Sequence, residues 1–178
     1  MNFSIEIASY NQKHLVGQMM ELYRHDFSEF DGCDLNEFGK FGYRYLDHYW
    51  TEENRHPFIL YVGRKIAGFV LVNTIGNTSE SDYFIGEFCV LRKYRGKGIG
   101  KKVAFAIFDR FPGVWEVATH IKNTPAIAFW QKVIEDYSAG SYRMYSNGIG
   151  QWEGPVWVFR NRRTEPDKLQ LIDTRKSS

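Results

Sequence analysis

Tyr83-Phe-Ile-Gly-Glu-Phe-Cys-Val90, then Leu91-Arg-Lys-Tyr94, then Arg95-Gly-Lys-Gly-Ile-Gly100 is the stretch on which the reading of this chain turns. Its first eight residues are rich in aromatic and β-branched side chains and read as a strand. Lys101 to Arg110 reads as a helix. Between them, Gly96, Gly98 and Gly100 leave backbone N–H groups uncovered at a helix N-terminus, where the helix dipole adds partial positive charge. Arg95, Lys97, Lys101 and Lys102 add full charges nearby. A strand, a glycine turn and a helix start in this order make a place to hold a pyrophosphate.

Outward from that point, the elements alternate. Residues 4–9 alternate as a half-buried strand does, and Ser9 or Asn11 is placed to cap the next element. Leu15, Val16, Met19, Met20, Leu22 and Tyr23 recur at helical spacing until Asp31-Gly32. Leu35 to Trp50 reads as a second, more aromatic helix. His56–Val62 and Ile66–Val72 flank Gly63-Arg-Lys65 as a hairpin. After residues 83–90 comes an amphipathic helix carrying Ile99, Val103, Ile107 and Phe108, which Pro112-Gly113 stops. Val114–Ile121 is a strand. Asn123-Thr-Pro125 opens a helix with apolar Ala126, Phe129, Trp130, Val133 and Ile134, and the proline sits where its missing N–H costs nothing. Weaker strands follow near 141–146 and 155–160. The expected fold is a single α+β domain over residues 1–161 around a mixed, mostly antiparallel sheet, with a polar tail at 162–178.

Three phosphate-binding patterns compete for the glycine turn. In the dinucleotide fingerprint the third glycine should fall one place later than Gly100, and Glu116 alone is a weak match for its acidic residue. The triphosphatase loop would need a glycine at Arg95 and a hydroxyl at Lys102, so it fails twice. A third pattern fits. Val90 to Gly100 resembles the acetyl-CoA loop of the GCN5-related N-acetyltransferase superfamily, Arg/Gln-x-x-Gly-x-Gly/Ala, met by Arg95, Gly98 and Gly100, with Val90 five residues before the arginine. Asn123 followed by Ala126 resembles that family's second cofactor element. The resemblance covers about 56–135 in sequence and about 1–160 in element order.

That resemblance implies a splayed-strand cleft, with the strand of Phe88, Cys89 and Val90 diverging from 114–121 to accept the pantetheine arm of acetyl-CoA as a co-substrate. The amides of Gly96, Lys97, Gly98, Ile99 and Gly100 would hold the pyrophosphate, with Arg95 and Lys101 as side-chain partners. Asn123 would reach the pantetheine, flanked by Phe129 or Trp130. It also implies direct attack of an amine on the thioester within a ternary complex. Glu87 is the expected general base, its pKa raised by apolar neighbours Phe84, Ile85 and Phe88. The Val90 N–H is the expected oxyanion donor. The family's usual acid, a tyrosine seven residues after the asparagine, is replaced by Trp130, which cannot serve; Tyr137 and Tyr142 are the alternatives. The expected activity is N-acetylation of a primary amine on a small molecule. The alternatives are a protein N-terminus or lysine as acceptor, or a non-catalytic acyl-CoA sensor.

Bulk properties narrow the classes further. Apolar residues make up 43% of the 178 and aromatics 17%, enough for a ring-rich core. A net charge of +2 gives no support for a nucleic-acid partner. Cys33 and Cys89 have no metal or redox spacing and read as free thiols of a reducing compartment. His25, His48 and His120 lack ligand spacing, so no metal is expected. No apolar run approaches the roughly 18 residues of a membrane span, and Met1–Glu6 does not open a secretory signal. A cytoplasmic protein is expected, with no membrane partner and with a homodimer left open. Tyr23, His25, Asp26, Glu29 and Asp31 read as an acidic, aromatic patch suited to a small cationic acceptor, or as an ordinary polar helix face. Tyr142, Tyr145, Trp152 and Trp157 read mostly as core.

Overall fold

The computed structural model describes residues 2–162; most of the expected tail lies outside the described residues. Within them, seven strands form one sheet: β1 (Phe3–Ile7), β2 (Arg55–Val62), β3 (Lys65–Asn73), β4 (Tyr83–Val90), β5 (Val114–Ala118), β6 (Tyr142–Tyr145) and β7 (Val156–Arg160). Their order is β1-β2-β3-β4-β5-β7-β6. Of these strands only β4 and β5 run parallel, and all other neighbours are antiparallel.

Three α-helices of the described residues cover the sheet. Helix α1 (Lys13–Asp31) starts after a 3₁₀ turn in which Gln12 Oε1 accepts the Ser9 N–H at 3.0 Å, and it ends on Gly32 in the left-handed region at φ 70°. It lays Val16, Met19 and Met20 against Ile59, Phe69, Leu71 and Cys89 of β2–β4. Helices α2 (Ile99–Phe108) and α3 (Thr124–Ser138) cover the opposite face, where Val103, Ile107 and Phe108 meet Trp115, Trp130, Ile134, Trp157 and Phe159. Phe108 is the centre of this side, edge-on to Trp115, Tyr137 and Phe159 at about 5 Å between ring centroids. Full burial of Trp115 and Trp157 places them in the core, and each such ring contributes on the order of 2–3 kcal/mol of transfer free energy.

The expected second helix at 35–50 does not form. Gly39 and Gly42 take φ of 69° and 68°, which a helix cannot hold. The backbone amides there are also claimed by side chains: Asn36 Oδ1 accepts from Phe38 and Lys40, and the Glu21 carboxylate accepts from Phe41 (2.8 Å) and Gly42 (3.0 Å). Only Asp47–Trp50 coils, as a 3₁₀ turn that buries Tyr49 under α1. The result is a long loop lying over the α1 face of the sheet.

Two carboxylates on the central strands have distinct duties. Glu116 on β5 is fully buried. It accepts hydrogen bonds from the backbone of Asn77 and Thr78 and the side chains of Asn77, Thr78 and Ser81, so it holds the β3–β4 connection rather than binding a ribose. The second, Glu87 on β4, stands beside a bulge. Leu71 pairs with Glu87 but Val72 pairs with Ile85, so Gly86 is the extra residue on β4.

Candidate active site

The glycine turn stands open. After a 3₁₀ turn at Arg92–Tyr94, anchored by the buried Tyr94, residues 95–98 are exposed. Gly96 and Gly98 have φ of 71° and 73°, and a Cβ on either would meet nothing within 4 Å. Their glycine identity therefore serves backbone shape and leaves free space above the turn. Gly98 is the N-cap of α2 and brings no side chain to it, so the first-turn N–H groups of Ile99, Gly100 and Lys101 have no acceptor among the described residues. The Ile99 side chain is core; only its amide faces the turn. Gly100 has a different reason: its Cβ would lie 3.0 Å from the Phe129 ring, so it lets α2 approach α3.

Beside the turn, β4 and β5 part. They pair only at Tyr83–Trp115 and Phe84–Glu116. Beyond that, β4 runs on to Val90 with β3 on one side and a gap on the other. The Leu91 N–H donates to Ala67 O on the β3 side, so by strand alternation the N–H groups of Phe88 and Val90 point into the gap. The Phe88 side chain meets Phe129 and Trp130 at 5.8 and 4.9 Å between centroids, which closes the α3 side of the gap with rings. Asn123 caps α3, accepting the Ala126 N–H at 3.1 Å, and its amide N–H₂ group keeps its donors. Thr119, just past the end of β5, is buried with a hydroxyl that has no partner among the described residues. An open cradle, unpaired amides on two elements and an orphan hydroxyl fit an extended ligand with a diphosphate at one end and amides along its length.

The basic side chains are already engaged. Arg95 donates Nε–H to Val90 O at 2.6 Å and pairs with Asp26 at 3.1 Å. Lys101 pairs with Asp136 at 2.7 Å, and Lys97 donates to Lys93 O. The turn's own amides and the exposed Lys102 are thus the free donors there among the described residues.

Because of the bulge at Gly86, Ile85, Phe88 and Val90 face α2 and α3, while Glu87 and Cys89 face α1. Glu87 therefore does not sit beside Ile85 and Phe88, which face the other way. Its surroundings are Tyr23 and Arg24 of α1 and Tyr43 of the long loop. Burial pushes its pKa up to about 7, and the Tyr23 and Tyr43 hydroxyls and the Arg24 charge oppose that rise. Burial in turn pushes both tyrosines far above their ordinary range, with the Glu87 charge adding to it, so they stay protonated as donors. Burial likewise pushes the Cys89 thiol up to about 11 and keeps it neutral. A Cβ on Gly86 would lie 2.6 Å from Tyr49 Oη and 2.9 Å from Asn73 Nδ2, so no larger residue fits the bulge unchanged.

Tyr137 donates to Asp109, at the end of α2 remote from the glycine turn, and Tyr142 Oη accepts from Gln131. Neither is directed at the β4 gap. The acidic patch on α1 is divided: Asp26 binds Arg92 and Arg95, Asp31 binds Arg24 and the Cys33 N–H, and His25 lies edge-on to Phe41. Tyr43, Glu21, Arg24 and Thr119 are site residues that the sequence alone did not single out. Two grooves, of about 850 and 520 Å³, flank Tyr43 on this side. Both cysteines are free, and no cluster of three or more metal-ligating side chains occurs among the described residues.

A splayed parallel pair beside a glycine-rich helix start is the architecture of an acetyltransferase fold. Residues 16–134 match the Acetyltransferase (GNAT) family, and the chain belongs to it. It is 26% identical over 132 residues to N-alpha-acetyltransferase 30 of Schizosaccharomyces pombe, across 71% of this chain and 86% of that one. Its fold is similar to that of an acetyltransferase from Thermus thermophilus, with TM-score 0.68 and 17% identity over 90% of this chain and 97% of that one. It is also similar to spermidine N-acetyltransferase from Vibrio cholerae in complex with CoA and spermine, with TM-score 0.59 and 9% identity over 89% and 95%.

Proposed function

We propose that this protein transfers the acetyl group of acetyl-CoA to the primary amine of a small molecule, with Glu87 accepting the proton. The observation that carries the reading is the Gly86 bulge, which turns a carboxylate of pKa about 7 away from the α2–α3 core and toward the α1 side of the gap. Acetyl-CoA supplies an electrophilic thioester carbonyl. The incoming ammonium must first lose a proton, and Glu87 takes it in the pH range where most amines are protonated. The nitrogen then forms its bond to the carbonyl carbon and sheds its second proton to solvent as the carbon–sulfur bond breaks, and CoA leaves as the thiolate, which solvent protonates. The Val90 N–H, aimed into the gap, would stabilise the charge that develops on the carbonyl oxygen. Tyr23 and Tyr43 hold the carboxylate in position from the α1 face. The curated relative acts on N-terminal amines by its name, and a protein N-terminus is the second reading.

The test is release of free CoA thiol across a panel of small amines and N-terminal peptides, in wild type and Glu87→Gln. Wild-type rates should climb with pH through about 7 as Glu87 ionises. Glu87→Gln should lose about a hundredfold in kcat and lose that rising limb. A variant with the wild-type pH–rate profile would remove Glu87 from the mechanism. Stability gives a separate readout. A carboxyl whose folded pKa lies above its unfolded value stabilises the fold at low pH, and that contribution is lost as pH rises through about 7. Between pH 5 and 8, Glu87→Gln should therefore gain about 2 kcal/mol relative to wild type.

A further inference from the structure

The acceptor side carries a charge pattern that the α1 sequence conceals. The smaller groove is lined by Arg24, Phe41, Gly42, Tyr43, Arg44 and Tyr45. The larger brings Lys13, Lys40 and Glu21 to the other side of Tyr43. Most of these charges are spoken for. Lys13 pairs with Asp47 at 2.6 Å and Arg24 with Asp31 at 2.9 Å. Both oxygens of Glu21 are occupied by the amides of Phe41 and Gly42. Two cations remain with no carboxylate partner among the described residues: Lys40, and Arg44, whose guanidinium lies over the Tyr45 ring at 4.5 Å from its centroid. Of the acids that made α1 look suited to a small cationic acceptor, Asp26 and Asp31 are consumed by Arg92, Arg95 and Arg24, and Glu29 is exposed near Arg92. The grooves therefore present unpaired positive charge around Tyr43, and the one acid next to Tyr43 on the other side is Glu87.

Resting on the acetyltransferase reading, we infer that the acceptor is a primary amine that also carries an anionic group, its nitrogen at Glu87 and its anion toward Arg44, with Lys40 adding positive charge on the other side of Tyr43. A carboxylate on a guanidinium backed by a tyrosine ring is a favourable pair, because the planar fork can bind it with two hydrogen bonds while the ring covers one face. A polyamine would bring further cations toward cations, which costs binding. The same chemistry is offered by a free amino acid and by a short peptide with an acidic side chain near its N-terminus.

The experiment compares acceptors in pairs that differ only in that charge: amino acids against their carboxamides, acidic N-terminal tetrapeptides against the matching amides, and spermidine. Thiol release is read with wild type and with the double variant Lys40→Glu/Arg44→Glu, whose sites are exposed loop positions. Wild type should favour the acidic member of a pair by tenfold or more in kcat/KM. The free amino-acid and peptide arms say which source supplies it. The double variant should lose that preference through KM, with CoA affinity unchanged, and should gain on spermidine. Equal rates within each pair, a wild-type preference for spermidine, or an unshifted preference in the variant would overturn the inference while leaving the acetyltransferase reading in place. Silence on every amine despite CoA binding would overturn both.

Discussion

The two walls of the cleft get their shape from different ranges of the chain. On the cofactor wall, Gly96 and Gly98 set the turn by their own backbone angles, and α2 begins at the next residue. On the acceptor wall, the loop after α1 has its shape imposed from afar: Glu21 binds amides 20 and 21 residues ahead, Lys13 pairs with Asp47, and the Trp50 indole donates to Ala8 O. One wall is a local signal that any pattern search can meet. The other is a set of side-chain pins with no spacing rule. A wall built locally should also fail locally, whereas a pinned wall should fail at a distance from the pin.

The sharpest way to break this contrast is Gly98→Val. A β-branched residue at φ 73° costs roughly 1–2 kcal/mol of stability. Its branches would stand in the open space over the first-turn amides of α2. The Michaelis constant for acetyl-CoA should rise by tenfold or more while that for the acceptor stays within twofold, as read by titration of each substrate at saturation of the other. A comparable rise for both substrates would mean that the turn shapes the acceptor wall as well, and the division would fail.

Glu21→Gln is the matching change on the other wall, and its effect should be smaller because glutamine keeps one acceptor oxygen. Charge-assisted hydrogen bonds contribute roughly 1.5–3 kcal/mol each, and one of two is lost outright. The loop bearing Tyr43 and Arg44 should loosen, raising the acceptor's Michaelis constant three- to tenfold with CoA affinity unchanged. Hydrogen exchange at Phe41 and Gly42 should accelerate in the same variant. Unaltered protection there would show that the loop is held by something other than Glu21.

The contrast also explains what the sequence disclosed. Strand β4 falls at 83–90, as its aromatic and β-branched run predicts, and α3 starts behind Asn123 and Pro125, as its cap chemistry predicts. The splay was legible only through the resemblance to the acetyltransferase family. Leu35–Trp50 misled because its aromatic residues recur at near-helical spacing. They are collected by Gly39, Gly42 and the distant Glu21 carboxylate, and propensity yields to such tertiary bonds. Glu87 was legible as an acid on β4. Its neighbours were not, since a bulge adds one residue to a strand without leaving a mark in composition beyond a single glycine. Glu116, which spacing offers as a ribose ligand, belongs to a buried knot of five donors, and nothing in the sequence links position 116 to 77–81.

One residue spans both walls, and it should show the smallest effect of the three. Asp26 lies on α1, yet it accepts from Arg92 at 2.6 Å and Arg95 at 3.1 Å, and Arg95 in turn donates to Val90 O on the cofactor strand. The Arg92 hydrogen bond, with help from Arg95, holds the Asp26 carboxyl below its usual range. That stabilisation is present at neutral pH and is lost as pH falls through the lowered pKa. Arg92 and Arg95 are exposed and Asp26 is only partly buried, so the pairs should be worth less than about 1 kcal/mol to the fold. Their role is better seen in coupling. Asp26→Asn should raise the Michaelis constants of acetyl-CoA and acceptor together, each two- to threefold, and high salt should erase the difference from wild type. Arg95→Gln should reproduce the acetyl-CoA part, and adding it to Asp26→Asn should change little further, because the two act through one contact. Strict additivity of the two variants, or an effect confined to one substrate, would show that the walls are independent and that the Asp26 pairs are only surface charge.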